Sequence, residues 1–324
     1  MARLRRVRSD DPGWSRRPQG RGVIYLDTDG RRITDPVAVS RCRDLAIPPA
    51  WQDVWICPAE NGHIQAMGTD DAGRRQYLYH PQWRARRDRL KHDQVIEVAR
   101  RLPRARRRVA TDLTRPELDR ARVLALAFRL LDEAYFRAGG ESYAKENGSF
   151  GLATLRREHV RVGTGSVWFG YPAKSGQWRE AEVTDTVVRE VVRHLLNRDD
   201  DGADLLAWRN GDGTWHDVTA ADVLEDVKER LGPQARPKDF RTWHATVLAA
   251  AALAGHEVPS SERARRRVVT QVVREVAEEL GNTPAVCRAS YIDPRVIDLW
   301  ERGQTIGRRR TRAGAERAVI ALLS

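Results

Sequence analysis

Four short segments between residues 134 and 294 hold side chains whose types could act together on a phosphate ester. Arg137 follows an amphipathic stretch, Lys174 lies in a Gly/Pro turn, Arg241 lies near a helix start, and Tyr291 follows a Gly-Asn-Thr-Pro run. Each residue alone has an ordinary structural explanation, such as a solvated charge, a partner of the helix dipole or a half-buried ring. Their combination in one chain is what indicates chemistry.

Together these four groups meet the needs of breaking a phosphodiester bond without a metal ion. The guanidinium groups of Arg137 and Arg241 can clamp the non-bridging oxygens through planar, bidentate hydrogen bonds. Lys174 can protonate a departing 5′ oxygen. Tyr291 can attack the phosphorus and hold the DNA covalently, so that the bond energy is kept for resealing.

Neither a metal nor a nucleotide is needed to explain the pattern. The run Asp199-Asp200-Asp201 could hold two metal ions in a nuclease, but an acidic loop that ends a helix is the simpler interpretation. The chain has no phosphate-binding glycine loop of the Walker type, so nothing suggests ATP use. We expect no cofactor and no metal.

The charge balance favours a polyanionic partner. The chain has 324 residues with 57 Lys and Arg against 45 Asp and Glu, a net charge of +12. Such an excess suits nucleic acid first and an anionic membrane second, although an arginine-rich proteome would also produce it. We expect duplex DNA as the partner.

The sequence features that indicate a cellular compartment are consistent with DNA as the partner. No stretch approaches the ~20 apolar residues of a membrane span, and the first six residues lack the apolar region of a signal peptide. Cys42, Cys57 and Cys287 fit neither a disulfide framework nor a zinc site, and reduced thiols are the simplest interpretation. The sequence predicts a cytoplasmic, nucleoid-associated protein with no membrane contact.

The elements that must position these groups divide the chain into three parts. Residues 1–22 are rich in Arg, Gly, Pro and Ser and predict a flexible basic arm. Residues 23–85 contain short apolar runs separated by Asp-Gly and Asn-Gly turns, a pattern typical of a β-rich domain. Residues 86–324 predict a larger, mainly helical domain with a small sheet. The helical pattern starts slightly earlier, at residue 83, and predicts helices over 83–101 and 115–136. The predicted class is α+β.

The four segments resemble the active site of type IB DNA topoisomerases, in the compact form of poxviruses and many bacteria. The resemblance extends to residues 47–56, 62–66 and 70–77 and covers roughly residues 23 to 302 in unbroken order. It implies the fold shared by tyrosine recombinases and these topoisomerases. It also implies an enzyme that nicks one strand, lets the duplex rotate to relax positive and negative supercoils, and reseals it without ATP or metal.

The resemblance implies a role for each residue of the site. Tyr291 would form a 3′-phosphotyrosyl bond, Arg137 and Arg241 would bind the scissile phosphate, and Lys174 would be the general acid. Asn282 stands where poxviral and eukaryotic members carry histidine. Because an amide can donate a neutral hydrogen bond but cannot carry a proton, we expect Asn282 to act as a donor only.

The resemblance also implies DNA contacts in the first domain. Gln76, Tyr77 and Tyr79 lie on one short strand, with the two tyrosines on one face and Gln76 on the other. Glutamine suits an adenine edge in the major groove, and tyrosine suits a phosphate or a thymine methyl group. A strand with packed tyrosine rings is the alternative. Backbone phosphates would be gripped, as two lobes close around the duplex, by Arg74, Arg75 and the arginines of 84–89.

Two alternative functions remain open at this point. A tyrosine site-specific recombinase shares the catalytic fold, but it usually carries histidine three residues before the second arginine, where this chain has Lys238. A non-catalytic DNA-binding protein of the same fold would not need all four reactive groups. Lys238 is predicted as a further cation near the phosphate, and whether Lys238 or His244 contributes to catalysis is left open. We expect a monomer.

Overall fold

The computed structural model describes residues 3–20 and 22–324, apart from the side chains of residues 142, 143 and 175. The chain divides into two compact units, residues 1–91 and residues 92–324. No helix in the described ranges combines the length and the apolar character needed to cross a membrane.

The first unit is built on a five-stranded antiparallel sheet with the strand order β2-β1-β3-β4-β5. Tyr25, Ile56 and Ala66 belong to its small core, together with Cys42 from the one helix that precedes β3. Among the described residues β5 pairs with β4 alone, so it forms one edge of the sheet. The elements are β1 (Trp14–Gln19), β2 (Gly22–Leu26), α1 (Pro36–Asp44), β3 (Gln52–Ile56), β4 (Ile64–Thr69) and β5 (Arg75–Tyr79).

Strand β1 lies inside the segment that the sequence predicts to be a flexible arm. It pairs with both β2 and β3, so residues 14–19 are part of the sheet rather than an arm. Just before it, the indole nitrogen of Trp55 donates to the Asp11 carbonyl oxygen at 2.9 Å. The difference has a physical reason: strand pairing uses backbone hydrogen bonds, which a polar, arginine-rich sequence can make without an apolar pattern.

Helix α2 (Pro81–Leu113) is longer than the helix predicted to end at residue 101. It continues through Pro103, which lacks the backbone N–H that an interior helical residue normally donates. Packing of the buried face of α2 compensates for this missing hydrogen bond, because Leu102, Ala105 and Val109 are all nearly inaccessible in the core of the second unit. The division between the two units falls within this helix.

The second unit is mainly helical with two small antiparallel sheets, β6-β7-β8 and β9-β10. Together with the N-terminal sheet, this confirms the predicted α+β class. Its elements are α3 (Arg120–Glu133), α4 (Glu141–Asn147), β6 (Val160–Val162), β7 (Val167–Pro172), β8 (Trp178–Val183), α5 (Thr186–Leu196), β9 (Ala207–Arg209), β10 (Trp215–Asp217), α6 (Ala220–Leu231), α7 (Pro237–Leu253), α8 (Glu262–Leu280), α9 (Pro284–Ser290), α10 (Pro294–Glu301) and α11 (Arg312–Leu323).

Helices α3 and α7 are the buried centre of the second unit. Most of their residues are inaccessible on all sides, as expected for helices surrounded by others. Phe128 and Phe240 join them through an edge-to-face contact with ring centroids 5.0 Å apart. Because close-packed cores hold their positions, groups at the ends of these helices are well placed to build a preformed site.

The acidic run at residues 199–201 follows α5, as the simpler interpretation predicts. Asp200 pairs with Arg157 and Arg198, and Asp199 accepts a 2.8 Å hydrogen bond from the indole of Trp215. These carboxylates therefore have basic or hydrogen-bonding side chains as partners.

Candidate active site

Arg137 lies in the extended segment that follows the end of α3. The chain turns sharply at Tyr135, whose φ is +57°, an unusual value for a residue with a side chain. The Arg137 carbonyl oxygen accepts a 2.8 Å bond from the Leu152 N–H. A Cβ atom on Gly151 would come within 2.5 Å of the Gly139 Cα, so only glycine allows the two backbones to approach this closely. Arg137 is thus held by tight backbone packing.

Arg241, in the second turn of α7, is only 2% exposed and connects two other helix ends. Its guanidinium donates to the carbonyl oxygens of Tyr135, just past α3, and of Leu280, at the end of α8, the latter at 2.7 Å. Its Nε atom has no partner among the described residues. Burial, and then repulsion from Arg137, lower the pKa of Arg241, but an arginine remains charged at neutral pH.

Asn282 is positioned by the end of α8. Gly281 adopts the left-handed conformation with φ +61°, and the Asn282 N–H returns to the Ala277 carbonyl oxygen at 2.8 Å. The Oδ1 atom of Asn282 accepts a 2.6 Å bond from Nη2 of Arg137. Because arginine can only donate, this bond orients the amide. The other end of the amide, the buried donor Nδ2 of Asn282, has no partner among the described residues.

Tyr291 ends helix α9 and is half-buried. The guanidinium carbon of Arg241 lies 5.2 Å from the centre of its ring. Thr246, on the same helix as Arg241, holds the tyrosine backbone: its hydroxyl lies 3.3 Å from the Tyr291 carbonyl oxygen and accepts from the Asp293 N–H at 3.1 Å. The sequence analysis did not single out Thr246, and nothing in its local pattern marks it.

Lys174 projects from the turn of the β7–β8 hairpin and is exposed. The turn is closed by a 2.8 Å bond from the Ala173 N–H to the Gln177 carbonyl oxygen. Gly176 has φ +69°, which requires a residue without a side chain for an unstrained turn. The ammonium group is therefore carried at the end of a short, well-formed hairpin.

One open pocket of about 750 Å³ collects the predicted reactive groups. Arg137, Lys174, Arg241 and Tyr291 all line it, and Asn282 joins it through its bond to Arg137. Lys238 lines it too, as an exposed cation. The pocket has two further basic residues that the sequence analysis did not single out, Lys228 and Arg236.

His244 lies elsewhere, in a buried network of charged groups. Its Nε2 atom is 2.9 Å from Asp132, which also accepts from Arg106 at 2.7 Å and from Arg312 at 3.0 Å. Glu316 completes the network by accepting from both arginines. Burial is the main reason why the pKa of His244 is lowered. His244 is not among the residues that line the pocket.

A further buried guanidinium, that of Arg179 on β8, also belongs to this region and was missed by the sequence analysis. It is 8% exposed, and it donates to the Ala134 carbonyl oxygen at 3.0 Å. A basic residue in an alternating strand is ordinarily interpreted as solvent-facing, so no sequence signal marks it as buried.

In the first unit, Tyr77 and Tyr79 are each 40% exposed on one face of β5, with parallel rings 6.0 Å apart. Gln76 lies on the other face, and its amide nitrogen donates to Asp70 at 2.9 Å. Arg74 pairs with the same carboxylate. The tyrosine rings stack on each other and remain accessible at the sheet edge, and Arg75 on the same strand is exposed.

Two known protein families match separate parts of the chain. Residues 22–70 match the family described as bacterial DNA topoisomerase IB, N-terminal domain. Residues 80–305, more than half of the chain, match the family described as eukaryotic DNA topoisomerase I, catalytic core.

Individual proteins that are similar to this chain are also named as DNA topoisomerases. The chain is 26% identical over 294 residues to DNA topoisomerase 1B of Acanthamoeba polyphaga mimivirus, covering 89% of this chain and 88% of the relative. It is 24% identical over 248 residues to DNA topoisomerase 1B of vaccinia virus, and this match covers 72% of this chain and 71% of the relative. The DNA topoisomerase I of monkeypox virus matches to the same extent.

Proposed function

This chain belongs to the type IB DNA topoisomerases, and from that membership we propose how its own residues cleave and reseal one strand of duplex DNA. The family match confirms the resemblance found in the sequence and favours a topoisomerase over a recombinase or a non-catalytic DNA-binding protein. The enzyme is an isomerase that relaxes supercoiled DNA. Each step of the proposed reaction depends on particular side chains of the pocket.

The observation that supports the assignment is the meeting of Arg137, Lys174, Arg241 and Tyr291 at one pocket. In cleavage, the Tyr291 phenol loses its proton to water and its oxygen forms a bond to phosphorus. The bond from phosphorus to the 5′ oxygen breaks, and that oxygen takes a proton from Lys174. A 3′-phosphotyrosyl enzyme and a free 5′-hydroxyl strand result.

Resealing is the same exchange in reverse. The 5′ hydroxyl attacks the phosphorus of the phosphotyrosyl bond and gives its proton back to Lys174, and the Tyr291 oxygen leaves and takes a proton from water. Because one phosphoester replaces another in each direction, no bond energy is lost and no nucleotide is consumed. Between the two steps the free strand rotates, driven by the torsion already stored in the DNA, so supercoils of either sign relax.

Arg137 and Arg241 offset the charge that develops on the non-bridging oxygens in the pentacoordinate transition state. Arg241 is preorganised for this because two of its five N–H groups are already bonded to backbone carbonyls, which fix the direction of the rest. Asn282 contributes its Nδ2 donor, which has no partner within the described part of the chain, to the same oxygens once DNA is bound.

DNA is held by groups around the pocket and on the first unit. Lys238 binds a phosphate next to the scissile one, as do Lys228 and Arg236. On β5 the exposed rings of Tyr77 and Tyr79 contact the DNA from the sheet edge. The other proposed contacts of the first unit are Gln76 to a base edge and Arg74 and Arg75 to the backbone.

We further propose that the enzyme works as a monomer bound to the nucleoid in the cytoplasm. Every group assigned to the reaction comes from residues 137–291 of a single chain, so no partner subunit is needed to complete the site. The net charge of +12 supports a standing association with DNA.

Relaxation of a negatively supercoiled plasmid in excess EDTA tests the assignment. The wild-type enzyme is expected to produce a ladder of topoisomers, and Tyr291→Phe none, because phenylalanine fills nearly the same volume without the attacking oxygen. Thermal unfolding and DNA binding of the variant serve as controls and should match the wild type. Relaxation by Tyr291→Phe at the wild-type rate would show that another residue is the nucleophile.

A further inference from the structure

Arg179 joins three parts of the active site that are far apart in sequence. It lies on β8, five residues after Lys174 and directly opposite Tyr171 in the strand pairing. Its Nη2 atom donates to the Ala134 carbonyl oxygen at the end of α3. Its Nη1 atom lies 2.3 Å from where a Cβ on Gly281 would be, so it also touches the end of α8.

These contacts connect the lysine hairpin to the segments that carry the other phosphate-binding groups. Ala134 precedes Arg137 by one short turn of chain, and Gly281 immediately precedes Asn282. A side chain at Gly281 would be strained because its φ is +61°, and it would have to displace the Arg179 guanidinium. The approach of β8 to the end of α8 is thus close and specific.

The electrostatic setting of Arg179 is unfavourable for a residue with only a packing role. Burial lowers its pKa, and repulsion from Arg137 lowers it further. The Tyr171 phenol raises the pKa of Arg179. Glu279 also raises it, but by less than Arg137 lowers it. A buried guanidinium in such a position costs stability, since desolvation is only partly repaid.

We propose that Arg179 is a positioning residue for the proton-transfer step. Its guanidinium fastens the β7–β8 hairpin against the ends of α3 and α8, so that Lys174 meets the 5′ oxygen of a phosphate already held by Arg137 and Asn282. This inference rests on the proposed role of Lys174 as the general acid. It predicts that loss of Arg179 impairs protonation of the leaving group more than attack by Tyr291.

A substrate with sulfur in place of the 5′ bridging oxygen separates these two effects. A thiolate leaves without protonation, so a defect confined to the proton donor disappears with this substrate. Single-turnover cleavage of both substrates is measured for Arg179→Met, which keeps an unbranched apolar stem without the charge or the donors of the guanidinium. We expect a loss of about 10²-fold with oxygen, the lower end of the usual contribution of a general acid, and most of it recovered with sulfur.

Two further variants make the result interpretable. Arg179→Lys keeps the charge and one point of contact but not the planar fork, so it should show the same pattern with a smaller loss. It also serves as the test variant if Arg179→Met fails to fold. Arg198→Met removes another buried arginine, which is 7% exposed and bonded to the Leu205 carbonyl oxygen. Any loss in this control should be equal with the two substrates.

Lys174→Ala, assayed in parallel, distinguishes failure of the inference from failure of its premise. If sulfur rescues Lys174→Ala but leaves Arg179→Met and Arg179→Lys equally slow with both substrates, Arg179 acts on the phosphorane or on the fold, and the inference is overturned. If sulfur does not rescue Lys174→Ala, the proposed role of Lys174 is wrong, and the inference falls with it.

Discussion

Nη2 of Arg137 donates a hydrogen bond of 2.6 Å to Oδ1 of Asn282, across 145 positions of sequence. The bond uses the acceptor end of the amide and leaves the donor end, Nδ2, buried and without a partner in the described part of the chain. Since a buried donor without a partner is costly, the arrangement is best explained by a phosphate oxygen that Nδ2 meets when DNA binds.

Asn282 should therefore act through its donor rather than by holding Arg137. Asn282→Asp keeps an acceptor for the arginine but removes the donor and adds a negative charge. Single-turnover cleavage by Asn282→Asp should fall by at least as much as by Asn282→Ala, about 10²–10³-fold, as for the loss of one oxyanion donor. Cleavage by Asn282→Asp at a nearly wild-type rate would mean that the amide serves only to orient Arg137.

Lys174 and Arg241 should respond differently to the identity of the bridging atom. Lys174→Ala is expected to slow cleavage of the normal phosphodiester by about 10²–10⁴-fold, and a 5′ bridging sulfur should restore nearly the wild-type rate. Arg241→Ala should lose cleavage with both substrates, because it offsets charge on the non-bridging oxygens. Equal rescue of the two variants would contradict the division of roles between them.

DNA affinity should fall steeply with salt because the enzyme neutralises many phosphates. The plot of log K against log salt should have a slope of about −0.9 for each phosphate contact, and Lys238→Gln should make that slope shallower by about 0.9. Arg266→Gln is the control, since this exposed side chain pairs with Glu262 on its own helix and does not line the pocket. An unchanged slope for Lys238→Gln would remove Lys238 from the phosphate contacts.

His244 should make stability depend on pH. With His244 neutral, the two arginines and two carboxylates of its network, Arg106, Arg312, Asp132 and Glu316, balance each other, so protonation would add an unpaired buried charge. The pKa of His244 is lowered in the folded state, by burial first. The unfolded chain therefore binds more protons, and the free energy of unfolding should decrease as the pH falls below about 6.5, the ordinary pKa of histidine.

The test is urea unfolding of the wild type and of His244→Gln between pH 7.5 and pH 5.5. The variant should be less stable at pH 7.5 by about 1.5–3 kcal/mol, because it loses a buried hydrogen bond to a charged acceptor. Its stability should also change less over this range. Parallel pH profiles for the two proteins would show that His244 does not titrate between the folded and unfolded states.

The sequence alone was sufficient for the order and chemical types of the reactive groups. Arg137, Lys174, Arg241 and Tyr291 could be predicted because their combination suits phosphodiester chemistry and their segments resemble those of type IB topoisomerases. Local signals also explain the bounds of helix α6: the Thr219 side chain caps its start, and a glycine follows Leu231 at its end. The α+β class follows from the same kind of evidence, since periodicity changes from strands to helices near residue 83.

Tertiary structure alone decided which atoms of those groups are already bonded and which remain available. Arg241 is bonded to backbone oxygens 106 and 39 positions away, and no local pattern encodes such partners. The same reason applies to β1, whose charged residues enter the sheet through backbone pairing, and to the burial of Arg179 and His244. A side chain's type limits what it can do, but its partners depend on segments that only the folded chain brings together.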